Sequence, residues 1–544
     1  MSSQFDRRTF LRGAGMAGAF SLAGGAIPRL MFTSGTGNKS GRVIEASLGD
    51  MQTFNPIIAR DVYSGNAAQM IYDPLYMFDP NGNIKPCLAA SMPAISNDGK
   101  TYTIKLNQKA KWTDGTPVTS ADVKMTYDFI YAPQYEAVKF ASRTNAVKYI
   151  KSVDIVDTYT VSITTNTTYA PFMATYGVFQ ILPHSVYGSL SPEEVNTAPA
   201  NTKPTVTNGA FKDAVWTPGQ QQTFKPNPDY YRGAPSISEY VIKPSASSTN
   251  VINLLLSEEA DFGQIDTSQV SAAQANKNLT VSLEPRNEFV YAIFQLDPRK
   301  SQLFQDVRVR QALYWATDRQ AIVKSIYFGQ ATVANGPIPP VLKSWYEPHT
   351  NPDYRLNTQK ANKLLDEAGF TKGSNGTRAK GNLQLAFDLI VPASNQVEVQ
   401  LATALQSQWK KVGVSITLKP VDLTTVLVPD LVAGTFDMIL LGEQTSLDPD
   451  SSTFWTSSST SNFGKYSNPT LDQLMEQGVT TINAAQRKPI YQKITNQLLS
   501  DPPCLFFVFP QAPEAVNKRI RNFPHSQVVS RAYYINKLGT TNSK

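Results

Sequence analysis

The sequence predicts an α/β protein carrying an additional strand-rich module, and three observations support that prediction. Between residues 383 and 441, strand-length apolar runs alternate with helix-length segments at spacings that need crossover connections, the mark of a parallel or mixed sheet. Between about 61 and 180, period-two runs are closed by turn residues around Asn81-Gly82 and Asp98-Gly99, the pattern of antiparallel hairpins. Between 306 and 328, Val309, Ala312, Leu313, Ala316, Val323 and Ile326 fall near one helical stripe, with Arg308, Arg310, Asp318 and Arg319 elsewhere on the wheel.

In chain order, residues 42–48 alternate as a first strand and run into a loop at 50–56. Runs at 75–78, 101–106 and 159–164 suit half-buried strands, with one helix at 120–131. A Pro-, Thr- and Asn-rich loop at 191–208 marks a boundary, and a short helix begins at Asn250. After the amphipathic helix, a helix at 358–368 stops at Gly369, since glycine readily takes the left-handed conformation that ends helices. A strand at 383–391, a helix at 395–411, a strand at 414–419, a helix at 423–433 and a strand at 436–441 follow.

A chain of 544 residues is too long for one core and predicts three or four units of about 150 residues. The formal charge of +7 does not point to nucleic acid. Residues 1–40 hold five of the 50 cationic and one of the 43 acidic residues, which leaves +3 for the rest. No basic run is long enough to track phosphates.

That first segment carries its own message. Arg7 and Arg8, followed by Phe10, Leu11 and Arg12 and then a weakly apolar, glycine-rich stretch, look like a twin-arginine export signal. The stretch from Gly13 to Phe32 is interrupted by Pro28 and Arg29, so it falls short of the ~20 strongly apolar residues a membrane span needs. The protein is expected outside the cytoplasm, either released or held by an uncleaved segment. No cysteine stands near the small-residue cleavage sites to take a lipid.

Catalytic motifs are missing. The chain has no Gly-x-Ser-x-Gly elbow, no phosphate loop and no His-Glu-x-x-His. The isolated histidines His184, His349 and His525 have no partner at metal-ligand spacing, and Cys87 and Cys504 stand more than 400 positions apart. Asp79-x-Asn81-x-Asn83 opens like a calcium loop, but Ile84 takes the glycine position and Ala90 the position of the bidentate acid, so a hairpin turn is expected. The weight moves towards binding, without cofactor or metal.

Several segments, in one order, resemble the family 5 solute-binding proteins of ABC transporters, which include oligopeptide-, dipeptide- and nickel-binding proteins. Thr53-Phe-Asn-Pro56, Ile71-Tyr-Asp-Pro-Leu-Tyr76 and Ile84-Lys-Pro-Cys-Leu-Ala89 are early landmarks. Asp98 to Leu106 and Lys111-Trp-Thr-Asp-Gly-Thr-Pro-Val-Thr119, continuing to Val123, are its densest signature. Asn227-Pro-Asp-Tyr-Tyr231, Ala260-Asp-Phe-Gly263, Asp306 to Leu313, Asp318-Arg319 and Leu364 to Phe370 follow. Aromatic and arginine motifs at helix starts usually pack, so most of these landmarks are read as fold rather than ligand contact.

The resemblance implies a two-lobed type II periplasmic-binding-protein clamshell. Residues 1–40 would be signal and linker; 41–60, 183–285 and 500–544 lobe I; 61–182 the strand-rich subdomain inserted in it; and 286–499 lobe II. A monomer would enclose its ligand by hinge closure and dock on a permease and ATPase complex. The implied function is capture of an oligopeptide or similar small organic solute for an ABC importer. An oligosaccharide is the alternative within the fold, and a secreted hydrolase the alternative outside it.

The cleft is sought where residues 442–450 leave the sheet, because open α/β sheets bind ligands at strand carboxyl ends. In peptide-binding members an aspartate four residues before the proline of an Asp/Glu-Pro pair binds the peptide amino group. Thr445 stands at that spacing from Asp448-Pro449, which leaves Glu443 as the substitute carboxylate. The candidate ligand-binding residues are Glu443, Gln444, Thr445, Phe454, Trp455, Tyr291, Phe289 and Phe54. Truncating Trp455 is expected to weaken binding without unfolding the protein. The serine-rich run 456–464 is read as a lid or a solvent loop.

Overall fold

The computed structural model describes residues 41–140, 143–245 and 247–541. Its frame is a 12-stranded mixed sheet. In chain order the strands are β1 (Arg42–Ser47), β2 (Phe211–Thr217), β3 (Gln221–Pro226), β4 (Glu239–Pro244), β5 (Phe262–Gln264) and β6 (Leu279–Pro285). They continue with β7 (Glu288–Phe294), β8 (Ala331–Val333), β9 (Ala386–Pro392), β10 (Ser415–Val421), β11 (Met438–Gln444) and β12 (Cys504–Asn517). The spatial order is β10-β9-β11-β7-β12-β5-β1-β4-β3-β2, with β6 and β8 also paired to β12. The prediction of an α/β fold with a mixed sheet holds: β9 runs parallel to β10 and β11, and β7 antiparallel to β11.

The 14-residue strand β12 joins the two sides of this sheet. Its first residues pair with β7, Val508 to Pro510 pair with β8, and Gln511 to Asn517 pair with β6. Only Arg286 and Asn287 separate β6 from β7. The chain therefore crosses between the β1 side and the β7 side at two adjacent places, 286–287 and about 509–511.

Period-two alternation explains how the β1 side is buried. Val43, Tyr240, Ile242 and Phe262 enter a large core that also holds Tyr102, Ile104, Val161 and Ile163 of the strand-rich region. Their neighbours Ile44, Ala46, Val241 and Ala515 enter a smaller core with Leu255 on the opposite face. The β7 side has its own core, built from β7, β9, β11 and the start of β12, with Leu313, Leu401, Leu405 and Trp409 from packed helices.

Several local expectations are corrected. The expected helix at 306–328 is two helices, Val307–Trp315 and Arg319–Ser325. Asp318 accepts the Ala321 N–H at 2.9 Å and so starts a new helix, while the Thr317 hydroxyl bonds back to the Leu313 carbonyl at 2.7 Å. The 191–208 segment holds a helix, Pro192–Thr197, closed by a Ser191/Glu194 capping box that its composition hid.

The strand-rich region has more than one helix. Besides Ser120–Tyr131, it contains Val62–Ile71, which Asp61 caps by accepting the Ser64 N–H at 2.7 Å. Its strands form a four-stranded antiparallel sheet and a hairpin, Tyr76–Phe78 with Ile84–Pro86. The Asp79 carboxylate accepts the Asn81 and Asn83 N–H groups at 2.9 Å each, as a hairpin turn requires. The expected 383–391 strand is interrupted at Leu385, and the 423–433 helix is a π turn at Leu423–Leu427 followed by Val428–Ala433. Cys87 and Cys504 are buried free thiols. Among the described residues no helix is long and apolar enough to cross a membrane. The arginines Arg7 and Arg8 lie outside the described residues.

Candidate functional site

Strand polarity locates the site. Strands β1 and β5 are parallel, and β5 pairs antiparallel with β12, so its last residue, Gln264, lies opposite Glu514 on the approach to the crossing. On the other side, β11 is antiparallel to β7 and ends with Gln444 opposite Glu288, again beside the crossing. The carboxyl ends of strands from both sides thus converge on one region, the place where open α/β sheets take ligands.

A cavity of about 220 Å³ lies on the β1 side of this region. Glu45, Gln264, Glu514, Phe523, Arg531 and Tyr534 line part of it. Arg531 grips Glu45 with two charge-assisted bonds of 2.6 and 2.7 Å, and the Tyr240 hydroxyl donates to Glu45 at 2.6 Å. Burial alone would push the Glu45 carboxyl up, but Arg531 and Tyr240 outweigh it and hold the group below its usual value. Glu514 has no such clamp. Burial, with Glu45 and Glu284 nearby, pushes it up to about 7 despite Arg531.

The β7 side presents the strand end of β11. Glu443 is half-buried, and burial and then Glu288 push it up to about 7, although Tyr291 hydroxyl lies 3.5 Å away as a donor. Gln444 is exposed. Thr445 is committed to the crossing: its N–H donates to the Asn287 carbonyl at 3.0 Å, its hydroxyl donates to the Asn287 side-chain oxygen at 2.7 Å, and the Asn287 amide donates to its carbonyl. Behind this loop Arg487 holds Asp448 in a buried bidentate pair, at 2.5 and 2.6 Å.

The aromatic candidates are placed differently. Phe289 (0 % exposed), Tyr291 (2 %) and Trp455 (3 %) are buried together around Phe506. Phe54 is fully buried and packs edge-on against Phe224 at 6.0 Å in the β1-side core. Phe454 is half-buried against Trp455. In this conformation these rings meet other side chains. The 456–464 run is anchored at Asn462, whose buried amide donates to the Thr456 and Tyr466 carbonyls, while Ser457, Ser458 and Thr460 are exposed.

Sequence reasoning missed Glu45, Arg531, Glu514, Glu288 and Glu398. Glu398, in the first turn of the helix Gln396–Lys410, is 4 % exposed, and burial and then Glu288 push its carboxyl up to about 7. The only available signal was charge in an apolar context, such as Glu288 directly before the run 289–294.

These three raised carboxyls give a signed prediction. The folded protein binds more protons than the unfolded chain between the reference value of 4.5 and about 7. Stability from these groups is therefore present at the acid end of that window and is lost as pH rises through it. The stabilisation of ionised Glu45 is already in place above 4.5. The thermal midpoint of the ligand-free protein is expected to fall from pH 5 to pH 8. A midpoint that rises over that range contradicts the assignment.

Comparison with known proteins identifies the family. A family model described as bacterial extracellular solute-binding proteins, family 5, middle, matches residues 83–465. The chain is 25% identical to the oligopeptide-binding protein AppA of Bacillus subtilis over 501 residues, covering 91% of this chain and 90% of that protein. The structure of that AppA in complex with a nonapeptide superposes with a TM-score of 0.75 at 25% identity, over 92% of this chain and 99% of that one. NikZ of Campylobacter jejuni, in complex with Ni(L-His), gives a TM-score of 0.75 at 26% identity over 92% and 100%. The matched segment contains the four-stranded antiparallel sheet, β7, β9 and β11, and the chain belongs to the bacterial extracellular solute-binding proteins, family 5.

Proposed function

We propose that this chain is exported by the twin-arginine route, works outside the cytoplasm as a monomer, and captures oligopeptides for delivery to an ABC permease and ATPase complex without catalysing a reaction. The observation that carries the reading is the convergence of strand carboxyl ends from both sides of the sheet on the double crossing at 286–287 and 509–511. Two short adjacent connections allow one side to rotate against the other, so ligand is enclosed at the crossing by hinge closure. In this reading lobe I is 41–60 and 183–285, with 61–182 inserted in it, and the chain beyond the crossing at 509–511; lobe II runs from 286 to 508 rather than to the expected 499, because Cys504 to Val508 pair with β7 and sit in the β7-side core. A relative that binds a nonapeptide supports a ligand of peptide size.

Glu443 and Gln444 face the ligand from lobe II, and the cavity lined by Glu45, Glu514 and Arg531 faces it from lobe I. Trp455 is a core residue, so no open ring there favours a sugar, and the oligosaccharide alternative rests on the absence of an aspartate at Thr445. Phe54, Phe289, Tyr291, Phe454 and Trp455 act from behind by fixing the walls; Thr445 acts through Asn287. A thermal-shift panel of two- to nine-residue peptides and of oligosaccharides tests the reading, since a ligand that binds only the folded state raises the midpoint. Peptides are expected to raise it by several degrees at saturation. Shifts with sugars and none with any peptide would reverse the assignment.

A further inference from the structure

The strand-rich subdomain 61–182 is joined in sequence to lobe I alone, yet it touches lobe II. The meeting point is the end of the helix Pro469–Thr480 and the turn 481–483 that follows it. Leu471, Met475 and Val479 stand four residues apart and so share one stripe of that helix. Leu471 and Met475 are buried in the β7-side core, whereas Val479, 6 % exposed, is buried in the core of the β1 side and the strand-rich region. One stripe is thus covered by two different lobes. The Ala170 N–H of the subdomain seals the contact by donating to the Val479 carbonyl at 2.7 Å.

Ile482, in the turn, enters a prepared seat. A Cβ added to Gly99 would stand 2.6 Å from Ile482 Cδ1 and 2.9 Å from Thr168 Cγ2, so the end of the isoleucine lies on bare backbone. Gly99 also has φ +70°, in the left-handed region that favours glycine. The turn beneath is held in place. The Ser96 hydroxyl donates to the Asp98 carboxylate at 2.5 Å, the Gly99 N–H to the Ser96 carbonyl at 2.8 Å and the Thr168 hydroxyl to the Asp98 carbonyl at 2.9 Å. A second contact, from the Lys343 ammonium to the Asn81 side-chain oxygen at 3.4 Å, links lobe II to the subdomain's hairpin. None of these residues belongs to the crossing at 286–287 and 509–511, so rotation about that crossing parts them.

We propose that the strand-rich subdomain is a latch for the closed protein, with Ile482 as the bolt and Gly99, Thr168 and Ala170 as the seat. The inference rests on the hinge-closure reading above. The latch joins two parts of the chain, so it favours the closed state by the same amount for every ligand. A ligand enclosed at the crossing leaves only after the lobes part, and the latch therefore acts on the dissociation rate. It raises affinity without adding selectivity.

The test is surface plasmon resonance on the immobilised full chain, with tetra-alanine and a nine-residue alanine–serine peptide as probes. Ile482→Asp removes the aliphatic contact and sets a charge on bare backbone, and it is expected to speed dissociation of both probes about five- to tenfold, by equal factors. The fold is kept, since Ile482 is 38 % exposed. Gly99→Ala presses a methyl group on Ile482 from the other side and is expected to act in the same direction. Val156→Asp, at a 59 % exposed position of the same subdomain, is the control and is expected to leave the rates as they are. Dissociation within about twofold of the parent in folded Ile482→Asp overturns the latch and leaves the peptide reading standing. A change for one probe alone would place Ile482 in contact with ligand and overturns it too. Failure of both probes to bind the parent counts against the peptide reading, and the latch is then read from small-angle X-ray scattering of the ligand-free proteins. A larger radius of gyration in Ile482→Asp than in the parent supports it, and an equal one overturns it.

Discussion

Trp455→Ala is expected to lower the free energy of unfolding by about 3–5 kcal/mol, the range for emptying a buried tryptophan site. The indole is 3 % exposed and sits edge-on to Tyr291 at 6.1 Å and to Phe506 at 5.9 Å. Those rings come from β7 and β12, so the indole braces the two strands that flank the crossing. Its Nε1 has no hydrogen-bond partner, so no polar contact is lost with it. Trp455→Phe therefore keeps most of the apolar burial and is expected to cost about 1–2 kcal/mol, less than half of the alanine effect at the centre of the two ranges. Urea unfolding of the three proteins measures this. The expectation from sequence was the reverse, a loss of binding with the fold intact. An alanine variant as stable as the parent but deaf to peptide would restore that expectation and put Trp455 on an open wall.

The contrast shows what one chain of letters can carry. The helix Ser120–Tyr131 was legible to the residue because its signals are local: Thr119 and Asp122 make a capping box, and the Thr119 N–H reaches Asp122 at 2.7 Å. The alternation of β9, β10 and β11 with their helices was legible for the same reason. The break at Thr317 and Asp318 was not, because both helices turn the same stripe to one core and periodicity alone reads them as one.

The site was harder to read because its contacts are long-range. Phe289 and Tyr291 are apolar rings on a strand, a pattern equally suited to a cleft wall and to a core. What buries them is Phe506, more than 200 positions later. Arg531 and Glu45 meet across 486 positions. Glu288 and Glu398 are brought together only by the pairing of β7 with β11 and the packing of a helix start against Gly442. The polar loop after β11 was found through the general rule about strand carboxyl ends. Its chemistry depends on neighbours no local pattern names.

Arg487→Met is expected to have the other large effect, a loss of about 3–5 kcal/mol, because it leaves a buried carboxylate without its counter-charge. Side-chain exposure is 4 % for Arg487 and 7 % for Asp448. The guanidinium also donates to the Gly478 carbonyl at 2.6 Å and to the Tyr491 hydroxyl at 3.0 Å, and it lies 5.3 Å from the Trp345 ring centroid. Lysine is expected to rescue little, since an ammonium cannot reproduce the planar fork that fits Asp448. Replacing Asp448 by Asn in the Arg487→Met background removes the stranded charge and is expected to recover part of the loss, a coupling that a double-mutant cycle reads directly. The same pair anchors the loop that follows β11. Peptide affinity should therefore fall in Arg487→Met even where the protein remains folded, and recover less than stability does in the double variant. Equal recovery of both would mean that the pair holds up the fold alone and leaves the cleft loop to Asn287 and Thr445.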